Sequence, residues 1–132
     1  MKPMKRVLRV GALVVVMVAG AMFAQNPGIT RTIINRKDIS MPGREAVIAK
    51  VEIAPGASAG RHTHPGEEIS YVLEGEGEIL IDGQPTQKVK AGDSFIIPAG
   101  AIHDAHNTGT QPMRLVGIYL VDKSKPMATP AP

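Results

Sequence analysis

Apolar and polar residues alternate along several short segments in the middle of the chain. In the segment REAVIAKVEI, residues 44–53, every second residue from 47 to 53 is apolar, and Lys50 and Glu52 lie between them. This period of two is typical of a β-strand that buries one of its faces. The pattern therefore predicts a strand at residues 44–53.

Similar segments follow along the chain, and glycine and proline separate them. Asp82-Gly83 and Gly92-Asp93 are strong turn sequences between such segments. The further predicted strands are EISYVLE, EILI, SFII, IHDAHN and MRLVGIYLV. Short strands at this spacing, without a convincing helix between residues 30 and 121, predict an all-β sandwich or barrel. The 132 residues of the chain have room for one such domain.

The N-terminal segment has a different pattern. Four Lys and Arg residues lie among the first nine, and residues 10–24 are apolar throughout. A basic start before an apolar run is typical of a secretory signal peptide, and this run is shorter than a membrane-spanning helix needs. We therefore expect residues 1–24 to be a signal peptide and the protein to be exported, periplasmic or secreted. No stable membrane association is expected after cleavage, and an N-terminal membrane anchor is the alternative.

Loss of the signal peptide changes the charge balance. The formal net charge of the chain is +3, from 15 Lys and Arg against 12 acidic residues. Without the four basic residues of the signal, 11 remain against the same 12, so nothing in the charge indicates a nucleic-acid partner. At the other end, residues 122–132 carry three prolines in the last seven positions and no apolar periodicity. This composition predicts a disordered tail.

His62 and His64 are candidate metal ligands because a strand would place residues two apart on one face. Glu68 shares their parity after a turn through Pro65-Gly66, and His103 lies near the start of a later predicted strand. Three imidazoles and one carboxylate suit a divalent metal that keeps an open position. A short H-x-H pattern on its own is weak evidence for a metal site. Two surface histidines on a polar turn are an equally good interpretation of it.

Two longer patterns enclose these residues. G-x5-H-x-H-x3-E-x6-G runs from Gly56 to Gly75, and G-x5-P-x-G-x2-H-x3-N runs from Gly92 to Asn107. Both resemble the two sequence motifs of the cupin superfamily, in order and at every specified position. Over about residues 45–121 the chain is similar to small single-domain cupins, including quercetin-dioxygenase-like members.

The resemblance implies a fold and a metal site. The implied fold is a single cupin-type β-barrel, also called a double-stranded β-helix or jelly roll, over residues 45–121. Residues 25–44 would then form an N-terminal strand or linker. The resemblance also implies one divalent ion, which is Fe, Mn, Ni, Cu or Zn. Its implied ligands are His62, His64, Glu68 and His103.

Strand parity separates the neighbouring polar residues from this ligand set. His106 faces away from His103 on a regular strand and is not expected to reach the metal. Glu67 and Arg61 are also expected to point away. Asn107 is expected to bind backbone groups in a turn rather than to act in catalysis. The strand EISYVLE is apolar on both faces, which predicts a covering strand or a second subunit, and thus a homodimer.

Two classes of function remain open for such a site. The resemblance implies a metal-dependent enzyme, of the dioxygenase type or a related one, that acts on a small enolisable or carboxylate-bearing molecule. Glu68 would then be the catalytic base as well as a ligand, since no other acid, Lys or Cys is securely placed near the site. A non-catalytic binding protein for a sugar acid or an organic anion is the alternative, because few polar groups are expected around the metal.

The signal-peptide hypothesis predicts a defined N-terminus for the protein recovered from cells. Cleavage after Ala24 gives a chain that begins at Gln25, and cleavage after Ala21 gives one that begins at Met22. Intact-mass spectrometry of the fraction released by osmotic shock distinguishes the two. A full-length chain in the membrane fraction would instead identify an N-terminal anchor.

Overall fold

The computed structural model describes residues 27–132. The predicted signal peptide, residues 1–24, lies outside the described residues. Within the described range the chain forms ten strands and no helix. The strands are β1 (Ile29–Asp38), β2 (Arg44–Ile53), β3 (His62–Thr63), β4 (Gly66–Glu74), β5 (Glu76–Ile81), β6 (Gln87–Lys90), β7 (Ser94–Ile97), β8 (His103–His106), β9 (Met113–Asp122) and β10 (Thr129–Pro130). Residues 27–132 therefore include no helix of the length and apolar character that a membrane crossing needs.

The strands form two five-stranded sheets. The first sheet has the order β1-β2-β9-β4-β7, and the second has the order β10-β3-β8-β5-β6. All strand pairs within the two sheets are antiparallel. The chain crosses repeatedly between the sheets, so β9 lies between β2 and β4 although it comes last among the long strands. The predicted all-β fold is confirmed.

The apolar core lies between the inner faces of the two sheets. On β2, residues 47, 49, 51 and 53 are buried and Lys50 and Glu52 are exposed, which confirms the alternation expected from the sequence. The second sheet contributes Ile79 and Val89 from its own inner face. Burial of apolar side chains on facing strands is the main stabilising contribution in a domain of this kind. The same faces also bury His62, His64, Glu68 and His103.

A single glycine makes the sharp connection between β4 and β5. Gly75 has a φ of 82°, in the left-handed region. A Cβ at this position would lie 2.7 Å from the carbonyl oxygen of Pro112. Both the backbone conformation and the lack of space therefore require glycine here. The turn brings the chain directly from the first sheet to the second.

The C-terminal segment differs from the expected disordered tail. Thr129–Pro130 form β10, which pairs with β3 opposite His62 and Thr63. The amide of Ala131 donates to the carbonyl of Arg61 at 3.0 Å. Met127 packs against the core. The prediction was wrong because backbone hydrogen bonds to the edge of β3 hold this segment, and they need no apolar periodicity in its sequence.

Candidate metal centre

Three histidine side chains converge from the second sheet. His62 on β3 and His103 at the start of β8 are direct register partners, and His64 follows just after β3. One ring nitrogen of each histidine lies within 4.8 Å of the others. The Nε2 atoms of His62 and His64 are 3.2 Å apart. The structure thus brings together the three histidines that the motifs select.

The other ring nitrogen of each histidine faces a backbone carbonyl. Nδ1 of His62 lies 2.5 Å from the oxygen of Gly60, and Nδ1 of His103 lies 2.9 Å from that of Ala101. Nδ1 of His64 lies 2.6 Å from the carbonyl of Met127 in the C-terminal segment. A carbonyl only accepts hydrogen bonds, so each Nδ1 carries a proton, and Nε2 is the ring nitrogen that faces the other two histidines. Histidine ligands of metals are commonly oriented by this type of contact.

Glu68 reaches the histidines from the first sheet. It lies on β4, between Ile97 of β7 and Tyr119 of β9. Its Oε2 atom is 3.2 Å from the Nε2 atoms of both His64 and His103. The other carboxylate oxygen, Oε1, accepts a hydrogen bond of 2.7 Å from the hydroxyl of Ser70. Ser70 therefore leaves Oε2 as the oxygen that faces the imidazoles.

Burial and neighbouring groups set the charges in this cluster. Burial lowers the pKa of His62 to about 4, and the neighbouring His103, His64 and Arg31 add to the effect. His62 is therefore neutral at pH 7. Burial alone would raise the pKa of Glu68, but hydrogen bonds to His103, His64 and Ser70 outweigh it and hold that pKa well below its usual range. The carboxylate is thus ionised in the interior of the protein.

This arrangement fits a divalent metal ion. Imidazole nitrogens and a buried carboxylate meet at one point, and without protons on those nitrogens such groups repel one another unless a positive charge lies among them. Nitrogen and oxygen donors of this kind suit Fe, Mn, Ni, Cu or Zn. The residues that would hold the ion are His62, His64, His103 and, through Oε2, Glu68.

A small cavity adjoins the cluster on the inner side of the barrel. Its apolar wall includes Phe95 and Leu115, and the ring of Tyr119 also lines it. The ring centres of Tyr119 and His64 are 4.7 Å apart. The cavity has a volume of about 20 Å³, which is enough for one or two water-sized groups. A ligand beside the imidazoles therefore has to be compact.

Residues outside the predicted ligand set take other positions. His106 does not join the group of converging nitrogens among the described residues, and its backbone pairs with Ser58 and Glu78. Glu67 lies on the exposed face of β4. The buried side chain of Asn107 donates to the carbonyls of Ile53 and Gln111 at 2.8 Å. These positions agree with the parity argument made from the sequence.

Arg61, the cation nearest to His62 in the sequence, also points away from the cluster. It forms a two-point salt bridge with Asp82, with both N–O distances 2.8 Å. Its Nε donates to the carbonyl of Pro132 at 2.6 Å. Arg61 thus holds the C-terminal segment in place and takes no part in the cavity.

Several residues near the cluster were not identified from the sequence. Ser70 and Tyr119 share a strand parity with Glu68 and Leu115, respectively, which could have placed them on inner faces. Arg31 on β1 also lines the cavity. It shares a strand parity with the apolar residue Ile29, which could have placed it on the inner face. The sequence could not indicate the contact between His64 and the carbonyl of Met127, because every residue has a backbone carbonyl oxygen.

The family assignment follows from comparison with known proteins. Residues 49–119 match the family model described as the cupin domain, which is more than half of the chain. The chain belongs to the cupin family. Its sequence is 32% identical over 83 residues to the oxalate-binding protein of Thermotoga maritima, and the match covers 62% of this chain and 68% of that protein. The chain spans only 35% of a germin-like protein of Arabidopsis thaliana that it also matches.

Solved structures show the same architecture. A double-stranded β-helix protein from Klebsiella pneumoniae has a TM-score of 0.67 at 23% identity, and the match covers 81% of this cupin and 87% of that chain. Recombinant oxalate oxidase in complex with glycolate has a TM-score of 0.63 at 26% identity. That match covers 78% of this cupin and 55% of the oxidase. The cupin barrel expected from the motifs is therefore confirmed.

We expect the protein to bind about one divalent metal per chain through this cluster. His62→Ala and His103→Ala should each abolish metal retention, because each removes a converging lone pair. His106→Ala is the matched control and should keep most of the metal. Elemental analysis of protein purified without a metal-binding tag tests this. A stoichiometry near zero, with no uptake of added Fe, Mn, Ni, Cu or Zn, would contradict the assignment.

Proposed function

We propose that this cupin is an exported protein that binds a small carboxylate at one divalent metal. The observation that carries the proposal is the position of the small cavity, which adjoins the point where three imidazoles and Glu68 converge. A ligand in this cavity contacts the metal position and the apolar wall at once. Two-carbon acids are much closer to the size of this space than a fused-ring flavonol is.

The relatives support the same class of ligand. A protein that is 32% identical binds oxalate according to its name, and the oxalate oxidase structure holds glycolate. Oxalate and glycolate are both two-carbon acids with two neighbouring oxygen functions. We therefore propose oxalate-like and glycolate-like acids as the first ligands to test.

The residues of the site have distinct parts in this proposal. A bound divalent metal would supply Lewis acidity toward a carboxylate or enediol oxygen. The three backbone carbonyls fix the histidine rings so that Nε2 points into the site. Ser70 fixes the Glu68 carboxylate, and the ring of Tyr119 with Leu115 and Phe95 keeps bulk water from the ligand.

Catalysis is a second candidate, and one observation favours it. Glu68 lines the cavity and its Oε2 atom is not held by Ser70, so this oxygen is the one that would accept a proton from a ligand. Proton transfer to this oxygen is the step that a dioxygenase-type or related reaction on an enolisable acid needs first. A binding protein needs no such step.

Glu68→Gln separates a base from a simple ligand. The amide oxygen still coordinates weakly, but the group no longer accepts a proton near neutral pH. If Glu68 is the base, turnover should fall by about 10²- to 10⁴-fold, mainly in kcat. Oxygen uptake and product formation with metal-loaded protein are the measurements, and Glu67→Gln on the exposed face is the control.

Other outcomes of this experiment assign the function differently. Near-normal turnover of metal-replete Glu68→Gln would leave Glu68 as a ligand only. Tight binding of one acid without turnover of any of them would identify a binding protein. Absence of metal-dependent binding for every small carboxylate would refute the proposed function.

We also propose that the outer face of the first sheet forms a homodimer interface. Four isoleucines lie side by side on adjacent strands of this face, and we call them the outer isoleucine row. They are Ile48, Ile118, Ile69 and Ile96. Ile96 is 63% exposed and Ile69 is 38% exposed, and Tyr71 beside them is 49% exposed. A flat apolar row can pack against the same row of a second copy around a two-fold axis, which buries it from water.

Charge substitution in the row should give monomers. Ile69→Glu and Ile96→Glu place carboxylates in the centre of the contact, where they would be desolvated without a partner. Leu80→Glu is the control, because Leu80 is similarly exposed at 39% but lies on the second sheet. Light scattering after size exclusion gives the masses. A wild-type protein that stays monomeric at high micromolar concentration would contradict the interface.

A further inference from the structure

Arg31 is the one strongly basic residue of the cavity. Among the described residues that line it, Arg31 alone is a lysine or an arginine. It lies on β1 directly opposite Val51, which belongs to the buried core. Directly opposite residues of an antiparallel pair project from the same face of the sheet. Arg31 therefore projects toward the interior of the barrel, although β1 is an edge strand and the residue remains largely exposed.

The other arginines of residues 27–132 are engaged elsewhere, whereas Arg31 forms no ion pair with another residue of this range. The four engaged arginines bond to carboxylates or to backbone carbonyls: Arg36 to Glu45, Arg44 to Pro65 and Leu120, Arg61 to Asp82 and Pro132, and Arg114 to Glu52 and Glu74. The guanidinium of Arg31 instead interacts with Tyr119. Its positive charge opposes the rise that burial and the charge of Glu68 cause in the pKa of Tyr119.

Tyr119 is a neighbour of both Arg31 and the histidines. Its ring packs on His64 and folds back over Gly117, where an added Cβ would come within 2.7 Å of the phenol oxygen. The missing side chain at Gly117 therefore gives the phenol its position. The charge of Arg31 also acts on His62. Arg31, His62 and His103 thus line the same small cavity.

We propose that Arg31 binds the second oxygen group of a two-carbon acid whose first group lies at the three histidines. The inference rests on the proposed function and deepens it, because it assigns the chemical class of the ligand. A planar guanidinium can donate two parallel hydrogen bonds to a carboxylate, and an ammonium cannot match that geometry. Arg31 would therefore favour acids with two neighbouring anionic or oxygen groups over monocarboxylates.

The test compares two probes on matched variants. Zinc-loaded wild type, Arg31→Gln, Arg31→Lys and Arg36→Gln are titrated calorimetrically with oxalate and with acetate, and zinc content is measured afterwards. Arg31→Gln should weaken oxalate binding by roughly 10- to 100-fold, as expected for loss of a charged hydrogen-bonding partner. Acetate binding and zinc content should not change, because acetate has no second carboxylate.

The two remaining variants test whether a loss of oxalate affinity comes from the missing charge at residue 31 or from a change in the fold. Arg31→Lys should recover part of the oxalate affinity through its charge. Arg36→Gln, on the same strand but paired with Glu45 outside the cavity, should leave both affinities unchanged. Equal melting temperatures would show that the substitutions leave the fold intact.

The contrary results are distinct from one another. If wild type binds oxalate and Arg31→Gln binds it equally well, the role of Arg31 is refuted and the proposed function stands. A parallel loss of acetate and oxalate affinity in Arg31→Gln would also refute it, since the residue would then act on the whole site. If zinc-loaded wild type binds neither probe, the proposed function fails, and the inference about Arg31 fails with it.

Discussion

The convergence of three imidazole nitrogens and one carboxylate is the constraint on which the rest of this structure depends. Each Nε2 is directed inward because each Nδ1–H donates to a backbone carbonyl. Glu68 faces them from the opposite sheet and stays ionised. A positive charge at this point would link the two sheets through their side chains. Because such a site does not exist in the unfolded chain, the free energy of metal binding would also stabilise the fold.

The fold could be predicted from the sequence to a large extent, because strand alternation and turn residues carry local information. The buried parity of β2 and the turns at Asp82-Gly83 and Gly92-Asp93 need no knowledge of distant partners. The spacing of His62, His64 and Glu68 is also local. His103 lies far along the chain, and only its framing by Pro98 and Gly100 in the second motif indicated that it belongs with the others.

The features of the site that could not be predicted from the sequence depend on pairing between distant segments. Arg31 is an unremarkable residue of an alternating strand until β1 is placed beside β2, which turns it toward the cavity. The carbonyl of Met127 orients His64 only because β10 pairs with β3, and a proline-rich sequence gives no indication of that pairing. The size of the cavity depends on the ring position of Tyr119, which Gly117 permits. None of these features follows from the periodicity of a single segment.

The pairing of β10 with β3 has a practical consequence for work on this protein. Any peptide joined after Pro132 would begin beside the strand that carries His62, and close to the carbonyl that orients His64. A polyhistidine extension at that end would bring additional imidazoles to the rim of a site built from imidazoles. Metal stoichiometries and spectra of such a fusion would then report on the extension as well as on the protein.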